Sequence, residues 1–205
     1  MDFLRKHWYD VAGLLAILSA IYLWYSFSDL TSYGVIMWLS LISLFLHQLE
    51  EYRVVGTFPG MANKVLFRSS QPDRYPLNSH TALLVNVVTG WLTYGLAVFF
   101  GEVTVWLGIA TMIISAGNFL AHTFLFNIRG KTFFNAGMAT SILFFLPVVI
   151  YFFVHLSRDT ALASPVDWWI GVPLGIFLNY VGIIKMIDWF KDERTRFVFE
   201  PRQVP

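Results

Sequence analysis

The sequence predicts an all-α integral membrane bundle of six transmembrane helices with both termini cytoplasmic, and three observations carry that expectation. Of the 205 residues, 57% are hydrophobic and only 13% charged, with a mean hydropathy of +0.61, outside the soluble globular range. Six apolar runs each approach the roughly 20 helical residues needed to cross a hydrocarbon core of about 30 Å. The basic residues then fall on one side of those runs. With the N-terminus inside, Arg5, Lys6, Arg53, Lys64, Arg68, Arg74, Arg129, Lys131, Lys191, Arg194, Arg196 and Arg202 all collect on the inner face. Only Arg158 lies outside, and Lys185 lies within the last run.

The runs, taken in order, are residues 11–27, 33–51, 81–100, 103–126, 133–156 and 167–190, in a single domain of residues 1–205 with no internal repeat. The first follows Arg5-Lys6, exceeds the core of a signal peptide and has no small-residue cleavage site after it, so a retained helix is expected. The second carries the chain's densest polar cluster. A long inner connection, residues 53–80, mixes Gly, Pro and Ser with basic residues; its amphiphilic piece at 61–67 suits an interfacial lid or anchor. The third and fourth runs meet at Gly101-Glu102. The polar turn 127–132 precedes the fifth, and a turn with Arg158 and Pro165 precedes the sixth. Gly171, Gly175 and Gly182 share one face of that last helix, as close helix packing requires.

Net charge is +1, which gives no case for nucleic-acid binding, and the absence of cysteine excludes disulfides, thiolate metal sites and a cysteine nucleophile. The chemistry is concentrated in Leu46-His47-Gln48-Leu49-Glu50-Glu51. At about 100° per residue, Glu50 lies about 60° to one side of His47 and Glu51 about 40° to the other, so one face holds an imidazole and two carboxylates. Charged groups inside a membrane mark a site by default. Topology brings further polar residues to the same inner layer: Asn86, the i, i+4 pair Asn118 and His122, Asn135 and Thr140, and Lys185 with Asp188.

Imidazole and carboxylate ligands suit one divalent zinc, iron or manganese ion, here held by His47, Glu50, Glu51 and His122, which would activate water or polarise a carbonyl. Asn86, Asn118, Tyr94 and Lys185 are the expected substrate contacts, and the apolar wall of the outer half calls for a lipophilic substrate. The same residues also allow metal-free chemistry. Glu50 or Glu51 would act as proton donor in isomerisation or cyclisation of a sterol or prenyl lipid, with Trp38, Trp91, Tyr94 and Phe119 facing a developing cation. A small transporter or proton-coupled carrier is a further alternative, weakened by the missing repeat and the missing polar path through the outer half. Simple interhelical hydrogen bonding competes as the reading for Asn118 and His122, and Lys185 is as well explained by snorkelling or by pairing with Asp188.

The ordered set of His47-x-x-Glu50-Glu51, Pro59-Gly60, Asn86, Asn118-x-x-x-His122 and Phe134–Thr140 resembles the family of membrane proteins named for its His-x-x-Glu-Glu motif. The likeness runs from Leu46 to Pro147; before the fifth helix this chain has Asn-Ala-Gly where the family pattern often has Asn-Pro-Gly. It implies a shared fold and shared motif residues and supplies no activity. The expected location is a bacterial inner membrane.

Overall fold

Capping residues and apolar faces together set the helix ends. The computed structural model describes residues 2–204, and among these the chain is helical throughout, with turns and loops but no strand. Helix α1 (Asp2–Ser26) begins well before its apolar run. The reason is packing: Trp8 and Tyr9 are buried against Tyr52, with ring centroids 4.7 and 5.9 Å away. Further along, Leu14, Ile17, Leu18 and Ile21 form an exposed stripe at helical spacing, the arrangement of a lipid-facing side. Helix α2 (Ser32–Val54) starts where Thr31 accepts a bond from the Gly34 amide at 3.1 Å. Its last turn, from Glu50, is π-helical: the Val55 amide donates to the Glu50 carbonyl, five residues back.

Helix α3, residues 79–100, is capped by Asn78, whose side-chain oxygen accepts from the amides of His80 and Thr81 at 3.0 Å each. It is followed by a 3₁₀ turn at Gly101–Thr104 and by α4, residues 105–130. The helical stretch Ser79–Gly130 is 52 residues long, which drawn straight would be roughly 78 Å, far beyond a bilayer core. The stretch instead folds back. Gly101 adopts φ 55°, ψ −132°, a conformation that a β-carbon would strain. Across that reversal, the Tyr94 hydroxyl lies 3.0 Å from the Thr111 carbonyl and 2.7 Å from Ser115 Oγ, residues that would be about 25 and 32 Å away along a straight helix.

Helices α5 (Met138–Arg158) and α6 (Pro165–Trp189) complete the set, the latter opened by reciprocal capping between Ser164 and Asp167. Counted as continuous stretches among the described residues, five helices are long and apolar enough to cross a membrane. Gly171 and Gly175 lie against α4, where a β-carbon would come within 2.5 Å of the Trp106 carbonyl and of Ile113 Cβ. The fifth apolar run begins at residue 133, whereas α5 begins at 138, because Asn135–Gly137 forms a turn with Gly137 at φ 98°.

Two segments close the motif end. The connection 53–80 carries a short helix, Phe58–Met61, prolonged by a π turn, Ala62–Leu66. Asn63, fully buried, holds it by donating to the carbonyls of Pro72 (2.9 Å) and Leu77 (2.8 Å) and accepting from the Leu77 amide. The tail after α6 then runs back over the same end. Arg202 and Gln203 donate to the Tyr52 carbonyl at 3.2 and 3.0 Å, and Arg202 also reaches the Arg53 carbonyl, so carbonyls left open by the end of α2 find donors there. Gly60 lies so close beneath the tail that a β-carbon would come 2.7 Å from Val204 Cα.

Candidate metal centre

The motif residues diverge at the end of α2. Glu50 and Glu51 are one helical step apart and therefore reach different neighbours. The Glu51 carboxylate points to α4: its Oε1 lies 3.2 Å from His122 Nε2 and 3.5 Å from His47 Nε2. These three ligand atoms lie within 4.8 Å of one another. All three side chains are closed off from solvent, with exposures of 3% (His47), 4% (Glu51) and 1% (His122). The two imidazoles cross at 89° with centroids 4.8 Å apart.

Glu50 takes a separate position. Its Oε2 accepts from the Thr140 amide at 2.7 Å and the Thr140 hydroxyl at 2.6 Å, and its Oε1 accepts from the Ala139 amide at 3.2 Å. It is a carboxylate cap on the start of α5, placed where unpaired amides and the helix dipole favour an anion.

That cap orients His47. The single hydroxyl proton of Thr140 goes to Glu50, so at 2.9 Å its oxygen accepts from His47 Nδ1, which directs Nε2 toward Glu51. A second relay does the same for His122. Asn127 donates to the Thr123 carbonyl, its oxygen accepts from Asn135 at 2.8 Å, and Asn135 Oδ1 accepts from His122 Nδ1 at 2.8 Å. Asn135 also donates to the His122 carbonyl at 2.7 Å, which locks its amide orientation. Both Nε2 atoms therefore face one oxygen of Glu51, each offering a lone pair when its ring is neutral. His47 Nε2 makes no hydrogen bond despite its burial.

The turn before α5 brackets the pair. A β-carbon on Gly137 would fall 2.5 Å from His122 Cε1 and 2.8 Å from His47 Cε1, so the glycine lets the turn approach both rings. Phe145, Phe126 and Phe58 wall the centre, with ring centroids 4.7 Å from His47 and 5.0 and 5.5 Å from His122. Each helix that builds it carries a π turn there: Glu50–Val54, Ala121–Leu125 and Ser141–Phe145. Such turns recur at functional sites because they re-aim side chains out of the 3.6-residue register.

The remaining site candidates lie elsewhere. Asn86 accepts from Gln48 at 3.1 Å and donates to the Ala82 carbonyl and the Tyr52 hydroxyl; Gln48 in turn accepts from Trp91 Nε1 at 2.7 Å. This network lies beside the motif helix, outside the His–Glu–His group. Asn118 donates to the Ile114 carbonyl of its own helix. Tyr94 is spent on the α3–α4 contact, and Lys185 pairs with Asp188 at 3.6 Å in an exposed position. The sequence marks Gly137 only as part of the Phe134–Thr140 family segment, and Asn135 and Thr140 as members of that segment and of the polar layer. The signal that singles them out is Asn-x-Gly ahead of a helix start, a turn pattern followed by a Thr able to bond in the first turn.

A helical membrane protein with a buried centre of two histidines and a carboxylate is the class that fold and geometry define. Within that class the chain belongs to the family described as protein of unknown function with HXXEE motif, whose profile covers residues 38–152, more than half of the chain. Its motif histidine and two glutamates are His47, Glu50 and Glu51. No curated protein and no solved structure matches it.

Proposed function

We propose that the protein is a membrane-embedded enzyme that holds one divalent metal through His47, Glu51 and His122 and acts on a lipophilic substrate. The observation that carries this reading is that the Nε2 atoms of two imidazoles, each held through Nδ1, face one buried carboxylate oxygen. The two contacts that Glu51 makes, 3.2 and 3.5 Å, are long for charge-assisted hydrogen bonds of about 2.7–2.9 Å and close to the ligand–ligand edge of a tetrahedral site with bonds of roughly 2.0–2.1 Å. The three ligand atoms, within 4.8 Å of one another, would draw together on an ion. Two histidines and one carboxylate leave open coordination positions, as zinc hydrolases and non-haem iron enzymes require.

In this reading Glu50 is a positioning residue. Through Thr140 it orients His47, as Asn135 orients His122, the outer support that metal-binding imidazoles normally have. A bound ion would supply Lewis acidity and a nucleophilic water at neutral pH. The rings of Phe58, Phe126 and Phe145 keep bulk water from the centre and offer an apolar wall to the substrate. Phe58 belongs to the short helix over the inner end, so its displacement is the route of entry from that side.

We further infer six spans, α1 to α6, with both termini cytoplasmic. The reversal at Gly101 divides the 52-residue stretch into two spans, and the basic residues supply the orientation. A bacterial inner membrane fits that bias.

A second reading keeps the enzyme without metal. The Glu50–Thr140–His47 relay and the three phenyl rings suit proton transfer to a prenyl or sterol lipid, with the rings facing a developing cation. Elemental mass spectrometry on untagged protein separates the two. The metal reading expects about one zinc, iron or manganese ion per chain, lost in His47→Ala and His122→Ala. Metal-free native protein whose turnover survives chelators would replace it with the second reading.

A further inference from the structure

The same end of the molecule holds a cavity of about 470 Å³, separate from the His–Glu–His group and formed where the start of α1 meets the tail. Three cations line it, Arg5 and Lys6 from α1 and Arg196 from the tail, between aromatic walls of Trp8, Tyr9 and Phe197. The two guanidinium groups are held on a single ring: Arg5 Cζ lies 4.1 Å and Arg196 Cζ 5.5 Å from the centroid of Phe197.

Glu200, the carboxylate on the cavity wall, is engaged elsewhere. Its Oε2 accepts from Arg202 Nε at 2.8 Å, and its side chain caps the turn at Gln203. The lining thus carries three cationic side chains and one carboxylate. Its volume lies in the range of small-molecule sites, large enough for a phosphate with an organic substituent. Guanidinium forks match phosphate oxygens in pairs, and the aromatic walls suit the apolar part of an amphiphile.

We infer that this cavity binds the phosphate of an anionic ester through Arg5, Lys6 and Arg196, either a membrane lipid headgroup or a soluble phosphate ester. Basic residues along an inner rim attract anionic lipids in general; here they are drawn into one aromatic-walled cavity, so binding is saturable and tied to particular side chains. The assignment is independent of the metal centre.

Native mass spectrometry of the full chain in a neutral detergent tests it, with phosphatidylglycerol, phosphatidylcholine or inorganic phosphate added in separate arms. The expected result is one retained phosphatidylglycerol per chain, bound at least tenfold more tightly than phosphatidylcholine and weakened at least tenfold in Arg5→Gln/Arg196→Gln. Displacement of that lipid by millimolar inorganic phosphate, or a retained phosphate in its own arm, would assign the site to soluble phosphate esters; resistance to phosphate would assign it to the lipid. The rim control Arg129→Gln/Lys131→Gln should change binding less than twofold, and unchanged thermal unfolding shows that the cavity variant folds. Equal retention of the two lipids with no phosphate bound, or equal losses in the cavity and rim variants, would overturn the proposal.

Discussion

At the residue scale the account separates two adjacent carboxylates. Glu51→Gln should abolish metal binding, because it removes the oxygen on which both imidazoles converge. Glu50→Gln should keep the metal at reduced affinity and lower stability by about 0.5–2 kcal/mol, the range for a helix cap, measurable by thermal unfolding in detergent. Asn135→Leu should leave His122 free to change tautomer and weaken metal affinity about 10–100-fold by competition titration. Gly137→Ala meets both a positive φ and two imidazole edges. A cost of about 1–3 kcal/mol from backbone strain alone is expected, together with loss of the metal. The helical wheel puts His47, Glu50 and Glu51 on one face, and it is equally consistent with the two glutamates serving different neighbours. What it lacks is the neighbour's identity: Thr140 and Asn135 lie about ninety residues and thirteen residues from the histidines they orient, and no spacing rule connects them.

At the element scale, the apolar runs locate the helices and miss their ends, because the ends are set by polar side chains and aromatic packing. Residues 2–10 are helical through the burial of Trp8 and Tyr9 on Tyr52, a contact that local hydropathy does not contain. The connection 53–80 reads as a lid or anchor, and the buried amide of Asn63 ties its two halves together while the tail bonds to it at Asp73 and Ser79. The tail carries no motif, yet it supplies donors to the end of α2. Arg202→Ala/Gln203→Ala leaves the Tyr52 carbonyl without either donor, and each lost bond should cost about 0.5–1.5 kcal/mol. Faster hydrogen exchange over residues 50–56 is expected in that variant. Unchanged exchange there would show that the tail does not hold the motif helix.

At the scale of the whole molecule, composition and the placement of basic residues express membrane character without any long-range contact. The sequence also points to the grouping of His47, Glu51 and His122, which alternating helices would bring to one level, whereas Asn118 and Lys185 lie apart from it. Subdivision of the polar layer into a metal-type centre, a cap and a separate Gln48–Asn86–Trp91 network depends on side-chain direction, which π turns alter. The absence of native cysteine makes the orientation directly measurable. Single cysteines at Ser69 and Thr132 should react with impermeant maleimide only from the cytoplasmic side, and those at Ser28 and Ser157 only from the other. Labelling of Ser69 and Ser157 from the same side would contradict six spans.

The central claim is the ligand set, and X-ray absorption at the edge of the copurified metal reads it directly. The account predicts a first shell of two imidazole nitrogens and carboxylate or water oxygen at about 2.0–2.2 Å, with the imidazole scattering lost in His122→Ala. A shell of oxygen alone, or a spectrum unchanged by that substitution, would contradict it.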